Sequence, residues 1–204
     1  MVLSPFILEF MKILSLDISS ATIGAAILEK DEVTQDFKQV KLIYLTHFNP
    51  PAKVSLFQML MEVKIFIKDL LSTFNPDIIV IEDILQFVKG KSGAKTIIKL
   101  AIVNRTVGLT IVEQTGKVPK LMNISRIRHA IKLGKIPPAK EDIPELVAQH
   151  LGISFPWIYK IRKGVSVPCK ENWDMGDAIA AGLAWIKKGE SVKKVKRRVQ
   201  KTTG

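Results

Sequence analysis

A chain of 204 residues, 47% hydrophobic and 25% charged, has the size and apolar content for one domain with a packed core, which excludes wholesale disorder. Its 31 Lys and Arg against 19 Asp and Glu leave a formal charge of +12, which predicts a polyanionic partner, either nucleic acid or an anionic membrane surface. The single Cys169 excludes an internal disulfide, the scattered His47, His129 and His150 exclude a structural zinc site, and no apolar run reaches the roughly 18 residues of a membrane span, so a soluble protein of a reducing cytoplasm is expected.

Residues 1–11 hold an apolar stretch, Val2 to Phe10, that lacks a basic start and a small-residue cleavage site and is broken by Pro5 and Glu9; it reads as an extension before Met11. Strand-like segments follow at about 12–18, 22–29 and 40–48, separated by Ser19-Ser20 and by a polar loop around Lys30-Asp31-Glu32, as antiparallel neighbours are. Leu56, Leu60, Val63, Ile67, Leu70 and Leu71 recur at helical spacing over about 54–73, and Asn75-Pro76-Asp77 stops that helix. Ile78 to Glu82 is apolar on both faces and reads as a central parallel strand covered by helices. A Gly- and Lys-rich loop from Lys89 to Gly93 leads into a helix over about 93–115, then come a short strand at 118–122, a helix from Ser125 to about Leu133, and a weaker one near 141–150. Residues 151–171, with Pro156, Trp157, Gly164 and Pro168, are expected to be irregular, and the last core helix to span about 174–187. A basic tail over 188–204, with Lys193 to Arg198, is expected to be loose, so the folded domain is placed at 12–187.

Four carboxylates stand out against this basic background. Asp17 closes the apolar run Ile13-Leu14-Ser15-Leu16, Glu82 closes Ile78-Ile79-Val80-Ile81, and Asp174 and Asp177 sit three apart at a helix start, on one helix face. Each has an ordinary reading: Asp17 in an Asx turn with Ser19 and Ser20, Glu82 with Asp83 at a solvated strand end, Asp174 and Asp177 as helix caps. Acids at two strand ends and one helix start can also meet at one point, and burying a lone carboxylate costs several kcal/mol unless it is paired or binds a metal. Gly176, Ala178, Ala180, Ala181 and Gly182 are small enough to let that helix close on a sheet. Hard oxygen ligands suit Mg²⁺ or Mn²⁺, and phosphodiester hydrolysis by two ions about 3.5–4 Å apart uses such a set. Lys89, Lys91 and Lys95 after Glu82, and Arg126, Arg128 and Lys140 further on, are either phosphate contacts or ordinary solvated charges.

The order of elements resembles the α/β ribonuclease H-like fold, a mixed five-stranded sheet flanked by helices. Leu16-Asp17-Ile18-Ser19-Ser20-Ala21-Thr22-Ile23-Gly24, Val80-Ile81-Glu82 and Asp174-x-x-Asp177-Ala178-Ile179-Ala180 are similar to the three motifs of RuvC-type Holliday junction resolvases, over about residues 12–186. The resemblance implies an endonuclease whose Asp17, Glu82, Asp174 and Asp177 are catalytic and hold two Mg²⁺, with Mn²⁺ able to substitute. It also implies a homodimer that nicks four-way junction DNA symmetrically, with Ile97, Leu100, Ala101, Val103, Asn104 and Arg105 at the dimer interface. Lys140 looks like the family's lysine near the active site. The family commonly has an aromatic residue shortly after the catalytic Glu; position 85 is Leu, and the nearest aromatic, Phe87, is either a base-stacking wedge or part of the core. The length of 151–171 points to a phage or organellar relative, and the implied location is the cytoplasm or nucleoid, or a host cytoplasm for a phage protein. Competing readings are an RNA-processing nuclease of the same fold and a non-catalytic branched-DNA-binding protein whose binding ignores Mg²⁺. A third is a nucleotide-binding protein with an actin-like phosphate loop, which would need a second lobe.

Overall fold

Two kinds of strand pairing meet on the first strand of the computed structural model, which describes residues 10–19, 21–31, 37–83 and 93–201, with side chains as far as residue 188. Strand β1 (Phe10–Ile18) pairs antiparallel with β2 (Ile23–Asp31), which pairs antiparallel with β3 (Lys41–Phe48). On its other side β1 runs parallel to β4 (Ile78–Glu82), and β4 parallel to β5 (Lys120–Met122). The sheet order is β3-β2-β1-β4-β5, the mixed five-stranded sheet of a ribonuclease H-like fold.

Strand alternation splits the core into two layers. Leu14, Leu16, Ile79 and Ile81 face α1 (Leu56–Phe74) and α2 (Ala94–Thr115). Ile13, Ala26, Leu28 and Val80 face α3 (Ile124–Ile131), α4 (Ile143–Leu151) and α5 (Glu171–Lys201). Asn75 ends α1 in a left-handed cap, φ 44°, and the chain turns at once into β4. There the Asp77 amide donates to the Lys12 carbonyl and the Lys12 amide to the Asp77 carboxylate, both at 2.8 Å. This clasp sets the register that places Leu16 opposite Ile81, so Asp17 and Glu82, each one residue further on, end neighbouring strands.

Helix α5 lies almost on the sheet. A Cβ at Gly182 would stand 2.5 Å from Leu28 Cδ1 and 2.8 Å from Ser15 Oγ. A Cβ at Gly24, the register partner of Asp17, would stand 2.9 Å from the Met175 nitrogen and closer still to the Asp174 carbonyl. Glycine at both points lets the start of α5 come down over the end of β1.

The structure departs from the sequence reading in four places. Residues 151–171 are not wholly irregular: β6 (Tyr159–Arg162) and β7 (Val165–Pro168) form a hairpin. Lys163 and Gly164 both have positive φ, 47° and 78°, the sign pattern of a type I′ hairpin turn. The segment expected to be a loose tail continues α5 as helix to Lys201; Lys, Arg, Gln and Val sustain a helix, and no Pro interrupts it. Helix α5 also begins at Glu171, three residues before Asp174, and β1 begins at Phe10, inside the expected extension.

Candidate metal centre

Asp17, Asp174 and Asp177 come together: each offers a carboxylate oxygen, and these oxygens all lie within 4.8 Å of one another. All three residues are buried, 7%, 7% and 3% exposed. The ordinary readings of each acid do not describe this geometry. The turn after β1 is made by Ser19, whose hydroxyl accepts from the amides of Ala21 and Thr22 and donates to the Thr22 carbonyl. Asp174 lies in the first turn of α5 with its carboxylate accepting from the Lys140 ammonium, and Asp177 lies in the second turn, beyond the unpaired amides that a capping acid serves. Glu82 is carried by the adjoining strand end, and its Oε2 is buried without a hydrogen-bond partner.

Electrostatics place the fourth acid within reach of the other three. Burial raises the Asp17 carboxyl well above its ordinary value, and the charges of Glu82, Asp177 and Asp174 raise it further. Burial pushes Glu82 up to about 7, with Asp177 adding to the rise and Lys140 and Arg128 opposing it. Burial pushes Asp177 up to about 6, against the pull of Lys140 and Arg128. Four acids crowded at low dielectric are costly to ionise together, and a cation relieves that cost. One cation is built in. Lys140, on a single 3-10 turn (Lys140–Asp142), lies 2.9 Å from Asp174 Oδ1 and 3.5 Å from Asp177 Oδ2. Burial alone would lower the Lys140 ammonium, but the hydrogen bond to Asp174 and the charges of Asp174, Asp177 and Asp17 raise it well above the lysine range. Three convergent carboxylates with an unpartnered fourth fit hard divalent cations such as Mg²⁺ or Mn²⁺, and they offer no soft ligand for zinc or copper.

Supporting residues fix this arrangement. The Asn104 amide donates to the Glu82 carbonyl at 3.3 Å, and Arg105 reaches Asn104 Oδ1 at 3.5 Å. Asn104 is thus buried against β4; with Val103 it sits in the interior, not on the outer face that the dimer reading gave them. The outer face of α2 instead carries Ile98 and Leu109, each 59% exposed, with Val112 and Arg105. Asn172 is fully buried at the start of α5; it accepts from the Ile158 amide and donates to the carbonyls of Ile158 and Cys169, tying the hairpin to the helix that carries Asp174. Asn172 does not stand out in sequence, and Gly24, although it closes the first of the three motifs, shows no sign there of its close approach to the Asp174 backbone.

Of the basic candidates, Arg128 lies within electrostatic reach of Glu82 and Asp177, and its Nε is buried without a partner. Arg126 and Lys95 are exposed, the latter in the first turn of α2. Phe87, Lys89 and Lys91 lie outside the described residues. Trp157 donates to Glu145 of α4 at 2.9 Å and packs against Phe155, an anchoring contact. Among the described residues, no helix is long and apolar enough to cross a membrane.

The fold is like that of solved Holliday junction resolvases. RuvC of Thermus thermophilus superposes on the chain with a TM-score of 0.63 at 15% identity, covering 85% of this chain and 92% of that one. The same protein in complex with Holliday junction substrate gives 0.61 at 13%, covering 85% and 91%. The yeast mitochondrial Holliday junction resolvase Ydc2 gives 0.64 at 14%, covering 94% and 84%. No protein-family model and no curated protein sequence matches the chain.

Proposed function

We propose that this chain is a metal-dependent, structure-specific endonuclease that resolves four-way DNA junctions by paired nicks. The observation that carries the reading is the buried acid cluster, Asp17, Asp174 and Asp177 with unpartnered Glu82 beside them, in a chain of charge +12. Structural acids with no ligand would have been exchanged at little loss for neutral or apolar residues. Asp17, Glu82, Asp174 and Asp177 would hold Mg²⁺ or Mn²⁺, and the bound ions would supply an activated water and charge stabilisation at the phosphodiester. Lys140 and Arg128 bring positive charge to the edge of the cluster, where the scissile phosphate must enter. The exposed Lys95 and Arg126 are further phosphate contacts, and the segment holding Phe87, Lys89 and Lys91 belongs to the same proposal on sequence grounds. The exposed Ile98, Leu109 and Val112 support a homodimer through α2, which would present two acid clusters to two opposing strands about one two-fold axis.

The deciding experiment incubates the chain with labelled four-way junction, linear duplex and RNA–DNA hybrid, with Mg²⁺ and with EDTA. Paired nicks in the junction, dependent on Mg²⁺, are expected. Asp17→Asn, Glu82→Gln and Asp174→Asn should each lower cleavage by orders of magnitude and leave binding intact or improved, since a carboxylate repels phosphate until metal neutralises it. Preferential cutting of the hybrid would favour an RNA-processing enzyme instead. Junction binding indifferent to Mg²⁺, with no cleavage, would make the acids structural.

A further inference from the structure

An open groove of 690 Å³ runs between α3 and α5, away from the acid cluster's own lining. Ser125 and His129 lie one turn apart on the side of α3 opposite the buried Ile127 and Ile131, and Lys132 follows at the helix's C-cap. Arg126 joins them, Lys187 and Lys188 form the α5 wall, and Met122, Ala130 and Ala184 make an apolar floor. Among the described residues, no acid lines it. The Lys187 ammonium donates to the Ala130 carbonyl at 2.5 Å and stands 5.9 Å over the Phe37 ring, which holds its charge at the groove wall. Arg128, on the same short helix, extends its charge to Glu82 and Asp177, so α3 carries positive charge both to the acids and to the groove. Helix α5 then runs on past the groove to Lys201, with Lys193, Lys194, Lys196, Arg197, Arg198 and Lys201 in its sequence against one acid, Glu190.

We propose that this groove seats the phosphodiester backbone of a duplex arm leaving the acid cluster, with Arg126 and Lys132 as its phosphate contacts. A concave strip with cationic walls and an apolar floor matches a strand whose phosphates face outward and whose sugars are apolar. The inference rests on the nuclease reading for the identity of the duplex as a junction arm. Each neutralised phosphate lowers the slope of log K against log salt by about 0.9.

The test measures binding of a four-way junction with duplex arms to the full chain in Ca²⁺, by anisotropy, across a KCl series. Lys132→Ala should flatten the slope by about one unit and Arg126→Ala/Lys132→Ala together by about two. Lys41→Ala, on β3 at the far edge of the sheet, serves as the charge-matched control and should leave the slope unchanged. A double variant that keeps the full slope, or that loses affinity for single strands but not for duplex arms, overturns the proposal. Cleavage by wild type in Mg²⁺ is read on the same preparations. Binding without cleavage, with the double variant flattened, would sink the nuclease reading and leave the groove; cleavage with an unflattened double variant would sink the groove alone.

Discussion

Asp177→Asn should make the metal-free protein more stable. Burial moves this carboxyl from 3.8 to about 6, against the opposing pull of Lys140 and Arg128. At 1.36 kcal/mol per pKa unit, holding Asp177 ionised costs the metal-free fold about 3 kcal/mol at pH 8. The sign follows from proton uptake. Between about pH 4 and pH 6 the folded chain binds a proton that the unfolded chain has already released, so stability falls as pH rises through that window and levels off above it. Glu82, raised from 4.5 to about 7, acts in the same sense, and because the two acids share one site their costs do not add. The variant should therefore exceed wild type by about 3 kcal/mol in EDTA at pH 8, a rise in Tm of about 6–12 °C at 2–4 °C per kcal/mol. The difference should shrink towards zero near pH 4. Mg²⁺ or Mn²⁺ should close the gap at 100 times its Kd and reverse the order at 1,000 times, because metal there adds about 4.1 kcal/mol to wild type and far less to a protein missing one ligand. Urea or thermal unfolding in EDTA and in metal, at pH 8 and pH 4, gives all four numbers. A variant less stable than wild type in EDTA at pH 8 would refute the reasoning, since the carboxylate would then be a net stabiliser through Lys140 with no need of a metal.

Gly24→Ala should cost about 1–3 kcal/mol and weaken metal binding, measured by calorimetry, because its Cβ pushes the Asp174 backbone away from Asp17. Asn172→Ala leaves the Ile158 amide without its partner, while the Ile158 and Cys169 carbonyls keep the backbone amides of Cys169 and residue 172, so it should destabilise by about 1–3 kcal/mol and speed proteolysis within 153–170; an unchanged proteolysis rate would show that the hairpin is held by other contacts. Leu109→Glu should yield monomer in sedimentation at low micromolar concentration, and a wild type that is itself monomeric there, both free and on a junction, would end the paired-nick mechanism.

The strands were legible because each apolar run stops at a charge or a turn residue, and Ile78 to Glu82 was read to the residue. Helices α1 and α2 followed from periodicity, and the small-residue run in α5 from its need to lie close on a sheet. The hairpin was missed because its turn is announced by two residues only, Lys163-Gly164, amid prolines that suggest irregular chain. Asn104 was placed at the dimer interface by the resemblance, and the sequence held nothing to correct it: helical spacing tells which residues share a face but not which face a neighbour covers, and a buried amide serving the Glu82 carbonyl has the same spacing as one at an interface. The pairing of Lys140 with Asp174 spans 34 positions, with α4 and the hairpin between them, a distance at which spacing carries no information.

Asp17 stands on β1 and Asp177 on α5, the first and last of the described elements. On a ribosome these acids are made at opposite ends of the synthesis of the domain, and β1 to β4 can pair long before α5 has emerged. Until it does, the sheet face bearing Ile13, Ala26, Leu28 and Val80 has no α5 to cover it, and Asp17 has neither helix acid beside it. The step that buries this face is the same step that completes the cluster. A nascent or prematurely terminated chain therefore lacks the complete acid cluster, and on the proposed reading it would have no site for a metal until the domain has finished folding.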